Sequence, residues 1–273
     1  MDILMPVTRK GRLSIASIKS VLRQKANNWK LTVLVARNDP EIYSICKEFS
    51  SPKVAVHFAG KDLGSGEAKR WLIDRTSAKY FFLIDDDDLL VADSVKAFSR
   101  YCARHPEAVL VRGRFRAINA QGRYIAIPAH NYIFQPRTFY KGATVDPINF
   151  GQPYIIKRSA YEKTSGWRGI DLKGKGEVIK AIGGDINIFL QLEEIGPIHL
   201  LDKILYLKRV HQQNQLIKIN MSERKRVLMT AVDNMIKRRR LKLSAREQIE
   251  IKRQICARLE SHAEYMRGPG RNG

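Results

Sequence analysis

Apolar and polar positions divide the first hundred residues into short runs of alternating kind. Ile3–Val7, Leu31–Ala36, Val54–Phe58 and Tyr80–Ile84 are nearly continuous apolar runs of strand length. A strand that is apolar at every position, not every second one, is covered on both faces. Segments of helical period separate these runs. Leu13, Ile15, Ile18, Val21 and Leu22 recur at near-helical spacing. Pro40 is placed to start a helix with Ile42, Ile45 and Phe49 on one face. After the break at Gly64-Ser65-Gly66, a helix over 67–75 turns Ala68, Trp71 and Leu72 inward. The alternation predicts an α/β fold with a single Rossmann-type, mostly parallel sheet flanked by helices. In such sheets ligands bind at the carboxyl ends of the strands.

The pattern loosens further on. Residues 108–116 and 123–127 are expected to pair as a hairpin around Asn119-Ala120-Gln121-Gly122, and 128–150, which lack a clear period, read as a loop or lid over a site. Gln152–Lys157 and Ile204–Leu207 read as strands, and Lys173-Gly174-Lys175-Gly176 as mobile. A helix carrying Ile188, Leu190 and Leu192 is expected to begin after Gly184. From Ser222 two helices follow, one with an apolar stripe of Val227, Leu228, Ala231 and Met235, the other with Ile251, Ile255 and Leu259. Ser244 and Glu247 have the spacing of a capping box at the start of the second. The expected organisation is a main domain over 1–221 and a small helical C-terminal extension over 222–273, disordered from Arg267.

Charge changes the picture more than composition does. The 273 residues are 44% hydrophobic and 28% charged, ordinary values for a globular chain, but the net charge is +22. That excess implies an anionic partner: nucleic acid, a phosphorylated small molecule, an acidic polymer or an anionic membrane surface. The extension alone carries 14 Lys/Arg against 6 Asp/Glu, a net of 8 positive charges. Three widely spaced cysteines make no Cys-x-x-Cys pair, which argues against a disulfide framework or zinc cage and suits a reducing cytosol. No basic leader precedes a long apolar run, and nowhere do about 18 apolar residues follow one another, so a cytoplasmic protein is expected, with any membrane contact peripheral.

Against that basic background, Asp85-Asp86-Asp87-Asp88 crowds four carboxylates into the loop after a buried strand. Like charges this close repel by roughly 1 kcal/mol per pair even in water. One explanation is a divalent cation with a preference for oxygen, Mg²⁺ or Mn²⁺, carrying phosphates. The other is a solvated acidic turn that caps the next helix. Three further features are candidates for chemistry. Asp185, at the expected start of a helix, is either an N-cap or a general base. His211, after the late strand, is either a packed histidine or a third ligand to Mn²⁺. The break at Gly64 leading to Lys69 and Arg70 either holds an anion or ribose or is a plain turn.

Together these features resemble the family-2 glycosyltransferases of the GT-A fold, over about residues 2 to 215. Ile3-Leu4-Met5-Pro6-Val7-Thr8 resembles the first strand and nucleotide loop, with Pro6 and Thr8 at the donor site. Gly64 to Arg70 and the acidic run resemble the core signature with its Asp-x-Asp motif, Asp185 lies where the catalytic base is placed, and Arg209-Val210-His211 resembles the closing Arg-x-His segment. The resemblance implies inverting transfer of a sugar from a nucleotide-diphosphate sugar to a glycan or lipid-linked acceptor. Asp87, Asp88 and His211 would hold a divalent cation, Mn²⁺ or Mg²⁺. Asp85, Asp86, Lys69 and Arg70 would lie at the donor, and Asp185 would be the base. Two departures stand out. The segment after the second strand reads Val35-Ala36-Arg37-Asn38-Asp39, which alters base recognition or moves it to Asp39, and Gly184 replaces the usual acidic residue before the base. Glu177 and Asp171 are therefore reserve candidates.

Two other classes fit parts of the sequence. A nucleotidyltransferase acting on a sugar phosphate would also use a parallel sheet and a carboxylate-held cation, and Thr8-Arg9-Lys10-Gly11-Arg12 is a faint version of its basic loop. A basic nucleic-acid-binding protein would explain the charge, but no zinc-finger or RNA-recognition signature accompanies it, so no specific nucleic acid is expected. The basic extension reads either as a helical pair packed on the main domain or as an amphipathic foot on anionic lipid. Arg112, Arg114 and Arg116 alternate along an expected strand and would share a face that is solvated or meets phosphate.

Overall fold

The computed structural model describes residues 1–8, 13–125, 138–139, 143–144, 152–167, 178–211, 221–253 and 256–257. The amino-terminal half is a run of strand–helix units: β1 (Asp2–Val7), α1 (Leu13–Leu22), β2 (Lys30–Val35), α2 (Pro40–Lys47), β3 (Val54–Phe58), α3 (Ser65–Asp74) and β4 (Tyr80–Leu83). A two-residue strand, β5 (Leu89–Leu90), then leads into α4 (Ser94–Arg104) and β6 (Leu110–Ile118). A small separate pair, β7 (Thr138–Phe139) and β8 (Ala143–Thr144), precedes β9 (Tyr154–Lys157), α5 (Arg158–Tyr161), α6 (Val178–Ile195) and β10 (Ile198–Arg209). The chain continues in α7 (Met221–Arg238) and a last helix over 245–253.

The main sheet has eight strands in the order β3-β2-β1-β4-β9-β6-β10-β5. β1 pairs in parallel with β2 and β4, β2 with β3, and β6 with β10. β9 runs antiparallel between β4 and β6, and β5 closes the far edge antiparallel to β10. The apolar runs have the cause the sequence pattern implied. Ile3, Met5 and Val7 pack into one core beneath α1, α2 and α4, while Leu4 packs into a second beneath α3, α5 and α6. All six residues of β1 are buried.

Several expected boundaries move. Among the described residues the expected hairpin is short: Ile118 bridges Tyr124, the Asn119 amide donates to the Arg123 carbonyl and the Ile125 amide to that of Ala117, and Asn119 Oδ1 closes the turn by accepting from the amides of Gln121 and Arg123. The late strand starts earlier, at Ile198, since β6 supplies partners to Ile198–Leu200 as well as to Ile204 and Tyr206–Arg209, with the ladder shifting register between the two stretches. The helix expected after Gly184 starts at Val178 and runs through both glycines, although each costs about 1 kcal/mol relative to alanine. Asp185 therefore lies inside the helix, and the N-cap explanation for it falls. Helix α1 presents Ser14, Ser17 and Ser20 to the interior beside Ile18 and Val21, and Leu22 is exposed. Arg112 is buried, while Arg114 pairs with Asp202 and Arg116 lies over the ring of Tyr124.

The stripe of the first C-terminal helix packs inward, together with Ile251 of the second. Val227, Leu228, Ala231, Met235 and Ile251 form a third apolar cluster with Leu190 of α6. Arg239 pairs with Glu193 and Glu194, and Arg238 with Glu194. The capping box is formed, with the Ser244 amide donating to Glu247 and the Glu247 amide to Ser244 Oγ. The lid reading of 128–150, apart from the backbone of β7 and β8, lies outside the described residues, as do Lys173–Gly176, Glu177, Asp171, Ile255, Leu259 and the tail from Arg267.

Candidate active site

The carboxyl ends of β1 and β4 converge with the end of β10, and the acidic loop sits where they meet. Each of its aspartates has a different task. Asp86, buried, accepts from the amide of Thr8 at 2.7 Å and so ties the loop to the end of β1. Asp87 and Asp88 are each 2% exposed, and Asp85 is half-buried. Carboxylate oxygens of Asp85, Asp87 and Asp88 lie within 4.8 Å of one another.

The scaffold around the loop is built from polar groups that hydrophobic periodicity does not reveal. Ser17 Oγ of α1 donates to the carbonyl of Asp88 at 2.6 Å, and Ser20 Oγ accepts from the amide of Leu90. The hydroxyl of Tyr206 accepts from the amide of Asp85. From the end of β10, the Arg209 amide donates to Asp88 Oδ1 at 2.6 Å. Its buried guanidinium donates to the carbonyls of Asp87, Asn119 and Ala120. Arg209 thus holds the loop twice, through its own amide on Asp88 and through its guanidinium on the Asp87 carbonyl. Arg209→Ala leaves three carbonyls without that donor and should lower unfolding free energy by about 3 kcal/mol. Urea unfolding at unchanged m checks this, and a loss below about 1 kcal/mol would show that water replaces the guanidinium.

His211 follows directly, its Nε2 2.9 Å from Asp87 Oδ2 with both side chains buried. The cluster of three carboxylates, with His211 against one of them, could hold a cation, and its excess of oxygen suits Mn²⁺ or Mg²⁺ more than a softer ion. The electrostatics agree. Burial, followed by the charges of Asp87 and Asp85, pushes the Asp88 carboxyl well above the usual carboxylate range, and Lys208 and the Arg209 amide only partly counter this. Such clustered, desolvated carboxylates are a fit for a cation.

A raised folded-state pKa costs stability as pH climbs above that of an unfolded carboxyl, about 3.9, and the cost is complete above the folded value. Without cation, Asp88→Asn should therefore stabilise the protein at pH 8, while leaving it nearly unchanged at pH 4. Urea midpoints at the two pH values, in chelator, test the sign. A stability loss at pH 8 would mean that the charge of Asp88 is well compensated.

The second half of the site is centred on Asp185. Lys69, from α3, is 6% exposed and donates to Asp185 Oδ1 at 2.8 Å and to Oδ2 at 3.2 Å. Trp167 Nε1 donates to the same Oδ1 at 2.6 Å. These three bonds take three of the roughly four lone-pair positions of a carboxylate and leave room for one more partner. The Lys69 ammonium is disfavoured by burial, yet the charges of Asp185 and Asp85 outweigh that and raise its pKa. Lys69 thus bridges the acidic loop and Asp185 electrostatically. The buried hydroxyl of Tyr154 has no hydrogen-bond partner among the described residues. Burial, with the charges of Asp185 and Asp85, pushes it well above the usual tyrosine range.

The remaining residues singled out from the sequence are more scattered. Pro6 is buried within β1, and the carbonyl of Thr8 accepts from Arg37 at 2.9 Å. Asp39 caps α2, accepting from the amide of Ile42. Arg70 lies on the exposed side of α3. Trp167, Tyr154, Tyr206 and Ser17 were not candidates in the sequence. Serines at 14, 17 and 20 are the one legible signal, since that spacing keeps them on one helical face.

This combination of a mixed α/β sheet flanked by helices with an acidic loop at its carboxyl edge defines a GT-A-type fold. S. aureus TarS 1-349 in complex with UDP-GlcNAc superposes with a TM-score of 0.69 at 11% identity, covering 96% of this chain and 73% of that one. The mannosyltransferase PcManGT from Pyrobaculum calidifontis, in complex with GDP-Man and Mn²⁺, superposes at 0.61 with 12% identity, covering 97% and 72%. The profile of glycosyl transferase family 2 matches residues 2–165, more than half of the chain, and the chain belongs to that family. An uncharacterized glycosyltransferase of Rickettsia conorii is 23% identical over 148 residues, 54% of this chain and 24% of that protein. The chain spans about a quarter of the length of this relative.

Proposed function

We propose that the protein transfers a sugar from a nucleotide-diphosphate sugar to a hydroxyl of a glycan or lipid-linked acceptor, with inversion. The observation that carries this reading is the pairing of two half-sites through Lys69: the buried carboxylates of Asp85, Asp87 and Asp88 on one side, and Asp185 on the other. The solved structures support the donor class, since TarS is in complex with UDP-GlcNAc and PcManGT with GDP-Man.

Asp85, Asp87, Asp88 and His211 would hold the divalent cation, Mn²⁺ or Mg²⁺. When bound it offsets the negative charge that grows on the departing diphosphate. Asp185 accepts the proton of the acceptor hydroxyl as that oxygen attacks the anomeric carbon from the face opposite the diphosphate. Lys69 and Trp167 hold the carboxylate in one orientation for that transfer, which limits the rotational freedom lost at the transition state. Asp86 and Thr8 fix the loop beside the donor, and Pro6, Asp39 and Arg70 are assigned to its nucleotide end.

A screen of nucleotide sugars with Mn²⁺ or Mg²⁺ tests the reaction class. Release of nucleoside diphosphate is the expected product. Release of pyrophosphate from a nucleoside triphosphate and a sugar phosphate would instead mark a nucleotidyltransferase. A polymer substrate bound through charge alone would lose affinity steeply with salt.

We assign residues 222–273 to a basic extension of the main domain that meets anionic lipid from the cytoplasmic side, where a lipid-linked acceptor would be presented. No helix among the described residues is long and apolar enough to cross a membrane. Lys237 and Arg246 are exposed on the two C-terminal helices, and Arg240 and Lys242 on the connection between them. Their joint replacement by glutamate should abolish co-sedimentation with anionic vesicles, and unchanged binding would remove the assignment.

A further inference from the structure

A second cluster of ligating side chains lies at the opposite end of the sheet, at the amino ends of β6 and β10. His105 caps the C-terminus of α4, Glu107 sits on the turn into β6, and His199 is the second residue of β10. At about 3.3 Å per strand residue, the length of β10 separates His199 from the acidic loop by on the order of 30 Å. Glu107 Oε1 is 3.4 Å from His105 Nδ1 and 3.6 Å from His199 Nε2. Ligand atoms of the three residues all lie within 4.8 Å of one another. The edge of a tetrahedron around an ion with bonds of about 2.1 Å is about 3.4 Å.

Surrounding groups hold two of these side chains in place. The hydroxyl of Tyr101 is 3.4 Å from His199 Nδ1, the ring nitrogen that does not face Glu107. In the tautomer that donates from Nδ1, His199 presents the lone pair of Nε2 to the cluster, the arrangement that orients metal-binding histidines. The same Tyr101 ring packs against His105 with centroids 4.3 Å apart. The backbone beneath is equally determined. His199 pairs with Val111 across the parallel ladder, and the Val109 amide donates to the carbonyl of Pro197 at 2.9 Å. Gly196 permits this approach, since a Cβ there would meet Val109 Cγ1 at 2.6 Å.

Two imidazoles and one carboxylate form a donor set for borderline transition ions, whereas the acidic loop, with its excess of carboxylates, favours hard ions. We propose that His105, Glu107 and His199 form a second cation site, specific for an ion of the Zn²⁺ class, that ties the turn between α4 and β6 to the start of β10. The competing arrangement is an ion pair of Glu107 with protonated imidazoles, which needs no metal.

The experiment uses the full chain carrying Asp87→Ala, so that the acidic loop is disabled, and titrates Zn²⁺ in competition with a chromogenic chelator. The expected result is one equivalent bound more tightly than about 10 µM, with an upward shift in melting temperature. In the same background, His199→Gln and Glu107→Gln should each weaken binding by more than about a hundredfold, and Tyr101→Phe by about tenfold. Both ligand variants should melt like their parent in chelator. Zinc binding that is absent from the Asp87→Ala protein, or unaltered by both ligand variants, overturns the proposal. So does a Glu107→Gln variant that melts lower without metal and gains nothing from zinc in its parent, the signature of a plain ion pair.

Discussion

Asp185→Asn should reduce turnover by about a thousandfold, within the range that a positioned general base contributes, while donor affinity changes by less than about threefold. The amide keeps the shape of the carboxylate and an oxygen that can accept from Lys69 and Trp167, so the site should stay assembled. What it loses is the capacity to take a proton. Part of the charge beside Lys69 is also lost, although Asp85 still acts on that ammonium. A melting curve should accompany the kinetics, so that loss of fold is not counted as loss of chemistry. Turnover above about a tenth of the parent value would move the role of base away from Asp185, and Glu177 and Asp171 would be the next carboxylates to test.

Asp87→Ala should have the opposite signature. It removes a buried carboxylate from the cation cluster and the partner of His211 Nε2. Donor affinity in Mn²⁺ should fall by at least about tenfold, and turnover by about a thousandfold, on the scale of the several kcal/mol that charge neutralisation supplies at a leaving diphosphate. The contrast between the two variants separates the roles. One side of the site binds the donor and stabilises its leaving group, and the other side handles the proton of the acceptor. Equal donor affinity in the Asp87→Ala and parent proteins would contradict that division.

Much of the fold was legible because burial on both faces makes a strand nearly continuous in apolar residues. β1, β2, β3 and β4 each fall within a residue of the runs seen in the sequence. The capping box at Ser244 was equally clear, since it depends on residues three apart. Less was legible where tertiary contacts override local preference. Gly183-Gly184 reads as a helix boundary, yet α6 runs through it. The short apolar core of β10 gave no hint of a strand reaching from Ile198 to Arg209, because that length comes from its neighbour β6.

At the site, the acidic run is unmistakable because four adjacent carboxylates have few structural uses. Lys69 was visible only as part of a basic helix start, and its pairing with Asp185, 116 positions away, is a product of the fold. Trp167 was invisible for the same reason: its indole N–H acquires meaning only beside the carboxylate it donates to. The alternating arginines of β6 show the converse. They look like an anion-binding face, but Arg112 is buried and Arg114 and Arg116 are taken by Asp202 and Tyr124.

The most direct test is release of nucleoside diphosphate from the preferred nucleotide sugar, followed with Mn²⁺, after chelation, and after return of excess Mn²⁺. The account predicts activity that vanishes with the chelator and is restored with the ion. Turnover that continues undiminished in chelator would contradict it.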